Sequence, residues 1–299
     1  MKNLNQLTVI ILTYNTSKKI ILDCLRSIDK NVNILIVENS ISFKDEDDIL
    51  SEFSNVKIIC TGENLGYGAG NNFGIKHSET DYILILNPDT ICDKEFFSNI
   101  LNVINEAKNF AIIGCQYIYD KIYMPAGFFE KEKNSNFISD FKNNKIDPLT
   151  SVEWVTGCSM LLNLKNFKDR EIFDKKFFLY FEEFDLCKSL LKENKNVYTS
   201  SLLKIHHLGF QSSLSENQND NLNKINLKDW HYMWSSFYFY KKNYSYSYAL
   251  RIFLGKFLKS FFKFLFYSVT FQKNQKNKYL YRFLGLLNSI IGRPSNFRG

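Results

Sequence analysis

The chain has 299 residues, enough for one large α/β domain with an appendage or for two modest domains. Apolar residues make up 45% of it and mean hydropathy is -0.23, which excludes a globally disordered chain. The net charge of +7 hides an asymmetry, because residues 241–299 hold 12 Lys/Arg and no Asp or Glu, while residues 1–240 hold 26 basic and 31 acidic residues. A tail of that kind is expected to meet a polyanion, either nucleic acid or an anionic membrane surface. The six cysteines (Cys24, Cys60, Cys92, Cys115, Cys158 and Cys187) form no CxxC pair and match no zinc-module spacing. No signal peptide precedes the first apolar run, so reduced thiols in the cytoplasm are the expectation.

Taken in chain order, Leu7–Thr13 (LTVIILT) reads as a buried strand that ends in the polar pair Tyr14-Asn15. Ser17 is placed to cap a helix in which Ile21, Cys24, Leu25 and Ile28 share a face. Further strands are predicted over residues 33–38, 56–60, 82–86 and 110–115. Strands alternating with helical segments imply a largely parallel, Rossmann-like sheet flanked by helices. Ligands of such sheets sit beyond the carboxyl ends of the strands. Residues 116–150 are polar and without periodicity, which predicts a surface loop or an acceptor-side insertion. Apolar character returns in Trp154–Leu164 and in the aromatic run Phe177–Phe184.

The tail is tested as a membrane element. Tyr248–Phe271 is apolar but is interrupted by Arg251, Lys256, Lys259 and Lys263, so it makes a poor span. On a helix the three lysines share one face, and Phe253, Phe257, Phe261 and Phe264 share another. That pattern predicts a helix lying in the membrane interface with its Phe face immersed. The bland alternative is a helical cap on the core.

Four groups can carry chemistry. Asn87-Pro88-Asp89-Thr90 follows a strand directly, and a carboxylate there can ligate a hard divalent cation, although the same residues also make a good β-turn. Asn64 to Gly74 (NLGYGAGNNFG) holds four glycines that offer backbone amides to an anionic ligand, yet it is neither a Walker A loop nor a GxGxxG turn. Glu182, Glu183 and Asp185 lie within an aromatic stretch, where apolar surroundings raise a carboxylate's pKa toward general-base use. His206 and His207 are adjacent, so on a strand at most one of them reaches a given site.

These pieces, in this order, resemble family 2 glycosyltransferases of the bacterial rhamnosyltransferase-like branch. The resemblance is carried by TVIILTYN (8–15), IVENS (36–40), NLGYGAGNNFG (64–74), LNPDT (86–90), WVTGCSMLL (154–162), FFLYFEEFDLC (177–187) and HHLGFQSS (206–213). It implies the GT-A fold over residues 1–240, with a nucleotide-binding half to about residue 115 and an acceptor half beyond, followed by a basic, aromatic-rich helical tail over 241–299. It implies an inverting transfer of a sugar from a nucleotide diphosphate donor to a glycan or lipid-linked saccharide. By resemblance, Thr13, Tyr14, Asn15, Glu38, Asn64, Gly66, Asn72, Gly74 and Asn87 would bind the donor. Asp89 and His206 would hold Mg²⁺ or Mn²⁺, and Glu183 would be the base, with Asp185 its rival and Glu182 beside them.

The chain departs from the family pattern twice. Relatives often read FEDxDL where this chain has Glu182-Glu183-Phe184-Asp185, and Glu38 stands where Asp is common. A rival reading is a sugar-nucleotide-binding protein that kept the fold and lost turnover. A nucleic-acid-binding protein is disfavoured, because the tail's lysines and aromatics segregate to opposite faces instead of interleaving. The expected setting is the cytoplasmic side of the plasma membrane, held there peripherally by the tail.

Overall fold

A computed structural model describes residues 3–107, 109–119, 122–129, 132–142, 145–209 and 218–298. Phe210–Ser213, the end of the HHLGFQSS segment, lies outside the described residues. The chain forms two compact units. The first takes Met1–Leu65, Ala69–Phe173 and Leu186–Ser213; the second takes Gly66–Gly68, Asp174–Asp185 and Leu214–Gly299.

The first unit begins as the periodicity predicts. Strands β1 (Leu7–Thr13), β2 (Asn33–Glu38), β3 (Val56–Cys60) and β4 (Tyr82–Leu86) alternate with helices α1 (Lys18–Arg26), α2 (Glu46–Glu52) and α3 (Tyr67–His77). The four strands pair in parallel in the order β3-β2-β1-β4. Their unbroken aliphatic runs suit strands covered on both faces, and β1 is buried at six of its seven positions. Helix α1 buries Ile21, Cys24 and Leu25, with Ile28 just beyond. Ser17 occupies its N-cap, but the hydroxyl makes no capping hydrogen bond.

Beyond β4 the sheet becomes mixed. The chain continues through β5 (Thr90–Cys92), α4 (Phe96–Glu106), β6 (Phe110–Tyr119), β7 (Ile122–Met124), β8 (Gly127–Phe128), α5 (Glu132–Lys142), β9 (Leu149–Ser151), β10 (Trp154–Val155), β11 (Ser159–Asn163), α6 (Glu182–Lys192) and β12 (Asn196–His207). Strand β11 inserts antiparallel between β4 and β6, and β12 pairs parallel with β6 and antiparallel with β5. The expected loop over 116–150 is therefore corrected: within it lie the end of β6, β7, β8, α5 and the start of β9. Elements of two or three residues are too short for any hydrophobic period to announce them.

The second unit holds three long helices, α7 (Gln218–Asn243), α8 (Tyr246–Val269) and α9 (Lys273–Ile290). Helix α7 runs through residues 240 and 241, so the change of composition there falls inside an element. The unit's core gathers Met233 and Phe237 of α7, Ala249 and Phe253 of α8, and Leu286 of α9. Phe257 packs on this core, and Phe257 and Phe261 both meet Phe283. The Phe face of α8 expected to enter a membrane is thus the face that builds the unit. The reason is that the same stripe is equally apolar toward neighbouring helices.

His231 of α7 is fully buried and ties this helix to the chain end. Its Nε2–H donates to the Phe297 carbonyl at 2.8 Å, and its Nδ1 lies 3.0 Å from the Ser295 hydroxyl. Burial lowers its pKa to about 4, outweighing the hydrogen bond to Phe297. Above about pH 6.5 the ring is neutral in both folded and unfolded chains, and its full contribution to stability is present. As pH falls from 6.5 toward about 4 the unfolded chain takes up a proton that the native ring refuses, so stability drops. The loss approaches roughly 3 kcal/mol at about 1.4 kcal/mol per pKa unit. Melting temperature measured across this window is expected to fall more steeply for the native chain than for His231→Gln; parallel curves would assign the acid sensitivity to other groups.

Candidate active site

In the first unit, the parallel register brings together residues from the ends of β1 and β2. Thr13 pairs with Glu38 at the carboxyl ends of β1 and β2, and the Thr13 hydroxyl donates to Glu38 Oε2 at 2.6 Å. Both are buried, at 1% and 3% exposure, so Glu38 is a fixed acceptor at the sheet edge. Tyr14 is 45% exposed, and Asn15 has φ of 51°, a left-handed turn residue that redirects the chain after β1. Asn39, which the sequence reading passed over, braces this edge. Its side-chain amide donates to Asn64 Oδ1 at 3.0 Å, and its oxygen accepts from Leu65 N at 3.0 Å. The signal was available, because Asn39 directly follows Glu38 at the strand end.

The glycine-rich segment needs correction. Only Asn64–Gly66 lies outside a helix; Gly68, Gly70 and Gly74 are inside α3. A Cβ on Gly70 would strike Leu12, and one on Gly74 would meet Val37 Cγ2 at 2.8 Å and Ile10 Cγ2 at 2.9 Å. These glycines let the helix lie close against β1 and β2, which is their physical reason for being there. Asn72 is 1% exposed and spends its amide on backbone: Nδ2 donates to Phe173 O at 2.8 Å, and Oδ1 accepts from Ile172 and Phe173 N–H. It braces the 172–173 segment.

After β4, Asn87–Thr90 forms a tight turn. Thr90 donates to the Asn87 carbonyl from both its backbone N–H at 3.2 Å and its hydroxyl at 2.6 Å. Asp89 is thereby held at 1% exposure, and its carbonyl accepts from Leu208 N at 2.9 Å. His207 Nε2 lies 3.5 Å from Asp89 Oδ1. His206 is exposed, so His207 and not His206 is the histidine brought to Asp89. Strand alternation is the cause, since Leu203 and Ile205 are buried and His207 shares their parity. Among the described residues no group of three or more His, Cys, Asp and Glu converges.

In the second unit, the acids sit at the start of α6. Just ahead of them Tyr180 and Phe181 have φ of 71° and 72°, consecutive left-handed conformations that bulky side chains rarely adopt. Such strain persists only where the surroundings enforce it, and it clusters at functional sites. Here Ser235 donates to the Leu179 carbonyl at 2.8 Å, and the Phe181 ring packs on Tyr232 and Phe239. Gly66, with φ of 85°, lies against the Phe178 carbonyl, where a Cβ has no room. The three acids have different environments. Glu182 is 2% exposed, its Oε1 has no hydrogen-bond partner, and burial with Glu183 alongside pushes its pKa well up. Asp185 is 3% exposed and receives Lys242 Nζ on Oδ2 at 2.6 Å and Asn243 Nδ2 on Oδ1 at 2.8 Å. Glu183 is the only one of the three that is partly exposed.

Lys242 also pairs with Asp174 at 2.8 Å, forming a latch that sequence spacing alone could not reveal. Burial by itself would lower the lysine's pKa, but the two carboxylates outweigh it and hold it above the ordinary value. Lys242→Met would strand two carboxylates. Because 34% of the lysine side chain is exposed, the expected cost is about 2 kcal/mol, below the full penalty for a buried pair. Urea denaturation of the variant checks this; an unchanged midpoint would remove the latch from the account of the unit's stability.

Comparison with known proteins bears on this arrangement. The chain is 27% identical over 202 residues to the low-salt glycan biosynthesis hexosyltransferase Agl10 of Haloferax volcanii, covering 65% of this chain and 64% of the relative. It is 25% identical over 190 residues to the rhamnosyltransferase WbbL of Escherichia coli K12, covering 58% of this chain and 71% of the relative. The mannosyltransferase PcManGT of Pyrobaculum calidifontis, solved with GDP-Man and Mn²⁺, superposes over 97% of this chain and 88% of its own at a TM-score of 0.54 and 9% identity. That likeness establishes the GT-A fold. The family model described as glycosyl transferase family 2 matches residues 8–163, and the chain belongs to that family.

Proposed function

We propose that the chain is a metal-dependent, inverting glycosyltransferase that moves a sugar from a nucleotide diphosphate donor to a glycan or lipid-linked saccharide in cell-surface polysaccharide synthesis. The observation that carries this reading is the pair Asp89–His207 at the carboxyl ends of the strands, beside the buried Thr13–Glu38 edge. The rhamnosyltransferase among the relatives supports a deoxyhexose such as rhamnose as the donor sugar. The same reading puts the reaction at the inner face of the plasma membrane, where a lipid-linked acceptor is presented.

The side chains at Asp89 fit a divalent cation. A carboxylate oxygen and an imidazole nitrogen 3.5 Å apart are within reach of one ion, since neighbouring ligands about 2.1 Å from an octahedral metal lie about 3 Å apart. Mg²⁺ or Mn²⁺ held by Asp89 and His207 would neutralise charge on the leaving diphosphate.

The protein's own groups divide the remaining work. Glu38 and Thr13 hold the nucleoside, and Asn64, fixed by Asn39, lines the donor side with the Tyr14-Asn15 turn. Glu183 takes the proton of the acceptor hydroxyl. The acceptor oxygen then bonds to the anomeric carbon as the bond to the diphosphate breaks, and configuration inverts with no covalent enzyme intermediate. Asp185 is engaged by Lys242 and Asn243, which fits a positioning role better than that of base. Glu182 is 2% exposed, and burial with Glu183 alongside raises its pKa, so it is a poorer match than the partly exposed Glu183 for an acid that must meet an acceptor hydroxyl.

A donor-hydrolysis screen across dTDP-, UDP- and GDP-sugars with Mn²⁺ or Mg²⁺ tests the class. Metal-dependent release of one nucleotide diphosphate, abolished in Asp89→Ala, is expected. Donor binding without turnover on any acceptor would favour the non-catalytic reading instead. His207→Ala is expected to raise the Mn²⁺ requirement at least about tenfold while His206→Ala leaves it unchanged, as the imidazole at Asp89 is the one lost. Glu183→Gln should lower kcat by about 10²–10⁴, the range for removing a general base, whereas Glu182→Gln, which mimics a neutral acid, stays within a few fold. Equal losses in the two variants would overturn the assignment of the base.

A further inference from the structure

Helix α8 has a second apolar face. Leu254, Leu258, Phe262, Leu265, Phe266 and Val269 are exposed at 43% to 76%, although the opposite face of the same helix is already buried in the core of its unit. At 100° per residue these six fall within about 120° of arc along the last four turns of the helix. Along one border of that arc run Lys256, Lys259 and Lys263, spaced i, i+3 and i+7. Two of these lysines lie against aromatic rings of their own unit: Lys256 Nζ is 4.6 Å from the Phe253 ring centre, and Lys263 Nζ is 4.9 Å from that of Tyr279. With Lys259 between them, they form a cationic row at the edge of the stripe. Among the described residues no helix is long and apolar enough to cross a membrane.

The geometry points to one occupant for this face, the headgroup boundary of an anionic lipid bilayer. Helix α8 would lie in the plane, with the Leu254–Val269 stripe immersed and the lysine row on the phosphates. An apolar stripe bordered by cations has the complementarity that an anionic surface offers, and immersion of such a face reaches about 5–10 Å. A second copy of the chain is a worse match, because a two-fold contact through this stripe would bring two cationic borders together in a region with 12 Lys/Arg and no acid. RNA is also disfavoured, since phosphate backbones leave a broad aliphatic stripe uncovered. The inference deepens the membrane-side reading above and rests on it for the acceptor. Its test reads binding, so failure here and failure of the transferase reading are separately visible.

The experiment is co-sedimentation of the full chain with vesicles of phosphatidylcholine containing about 30 mol% phosphatidylglycerol, with pure phosphatidylcholine alongside. The native chain is expected to partition onto the anionic vesicles, and Phe262→Glu/Phe266→Glu is expected to lower that partition at least about tenfold. Circular dichroism and donor hydrolysis of the double variant should match the native chain, since these side chains are exposed. Charge reversal at Lys259 should weaken binding to anionic vesicles and leave any binding to neutral ones unaltered. Equal partition of the native chain and the double variant would overturn the proposal. So would a native dimer in solution that the double variant dissociates, or binding to RNA that survives where vesicle binding is absent.

Discussion

The buried Thr13–Glu38 edge depends on one constraint, the in-register parallel pairing of β1 with β2 and β4. Thr13 meets Glu38 because every residue from Thr8 onward is matched to its partner from Asn33 onward. A slip of one residue would turn every side chain of the strand to the other face. Glu38 would then leave Thr13, and the aliphatic runs that face helices on both sides would lose their packing. The hydrophobic core thus fixes the positions of the polar groups at the strand ends, and those groups add little to the choice of register themselves.

The same tightness explains the glycines. Helix α3 can lie on β1 and β2 only where its own side chains vanish, at Gly70 against Leu12 and at Gly74 against Ile10 and Val37. Read as a string, NLGYGAGNNFG suggests a loop. Read for spacing, Gly70 and Gly74 stand four residues apart, as two positions on one helical face do. That signal was present and was outweighed by the ordinary low helix propensity of glycine. The histidines carry a parallel lesson. The buried parity of Leu203 and Ile205 already pointed to His207 as the inward residue, ahead of any family pattern.

What was legible follows the length of each element. Continuous aliphatic strands of five to seven residues were readable to the residue in β1, β2, β3 and β4, because burial on two faces leaves an unmistakable run. β7, β8 and β10 were not, since a strand of two or three residues is fixed by its neighbours more than by its own sequence. The two faces of α8 mark another limit. A helix apolar nearly all round gives no hint of which side meets protein, and only the placement of Met233, Phe237 and Leu286 separates the core stripe from the exposed one.

The acids at the start of α6 face a problem of like charge. Three carboxylates within four residues, two of them almost sealed from water, would repel one another strongly if all were ionised. The second unit meets this by treating each differently. Lys242 and Asn243 compensate Asp185, burial with Glu183 alongside raises the pKa of Glu182, and Glu183 is left as the acid whose side chain reaches partial exposure. The strained turn at Tyr180–Phe181 is part of the same solution, because it delivers the chain into the first turn of the helix with Phe181 O accepting from Asp185 N at 2.9 Å.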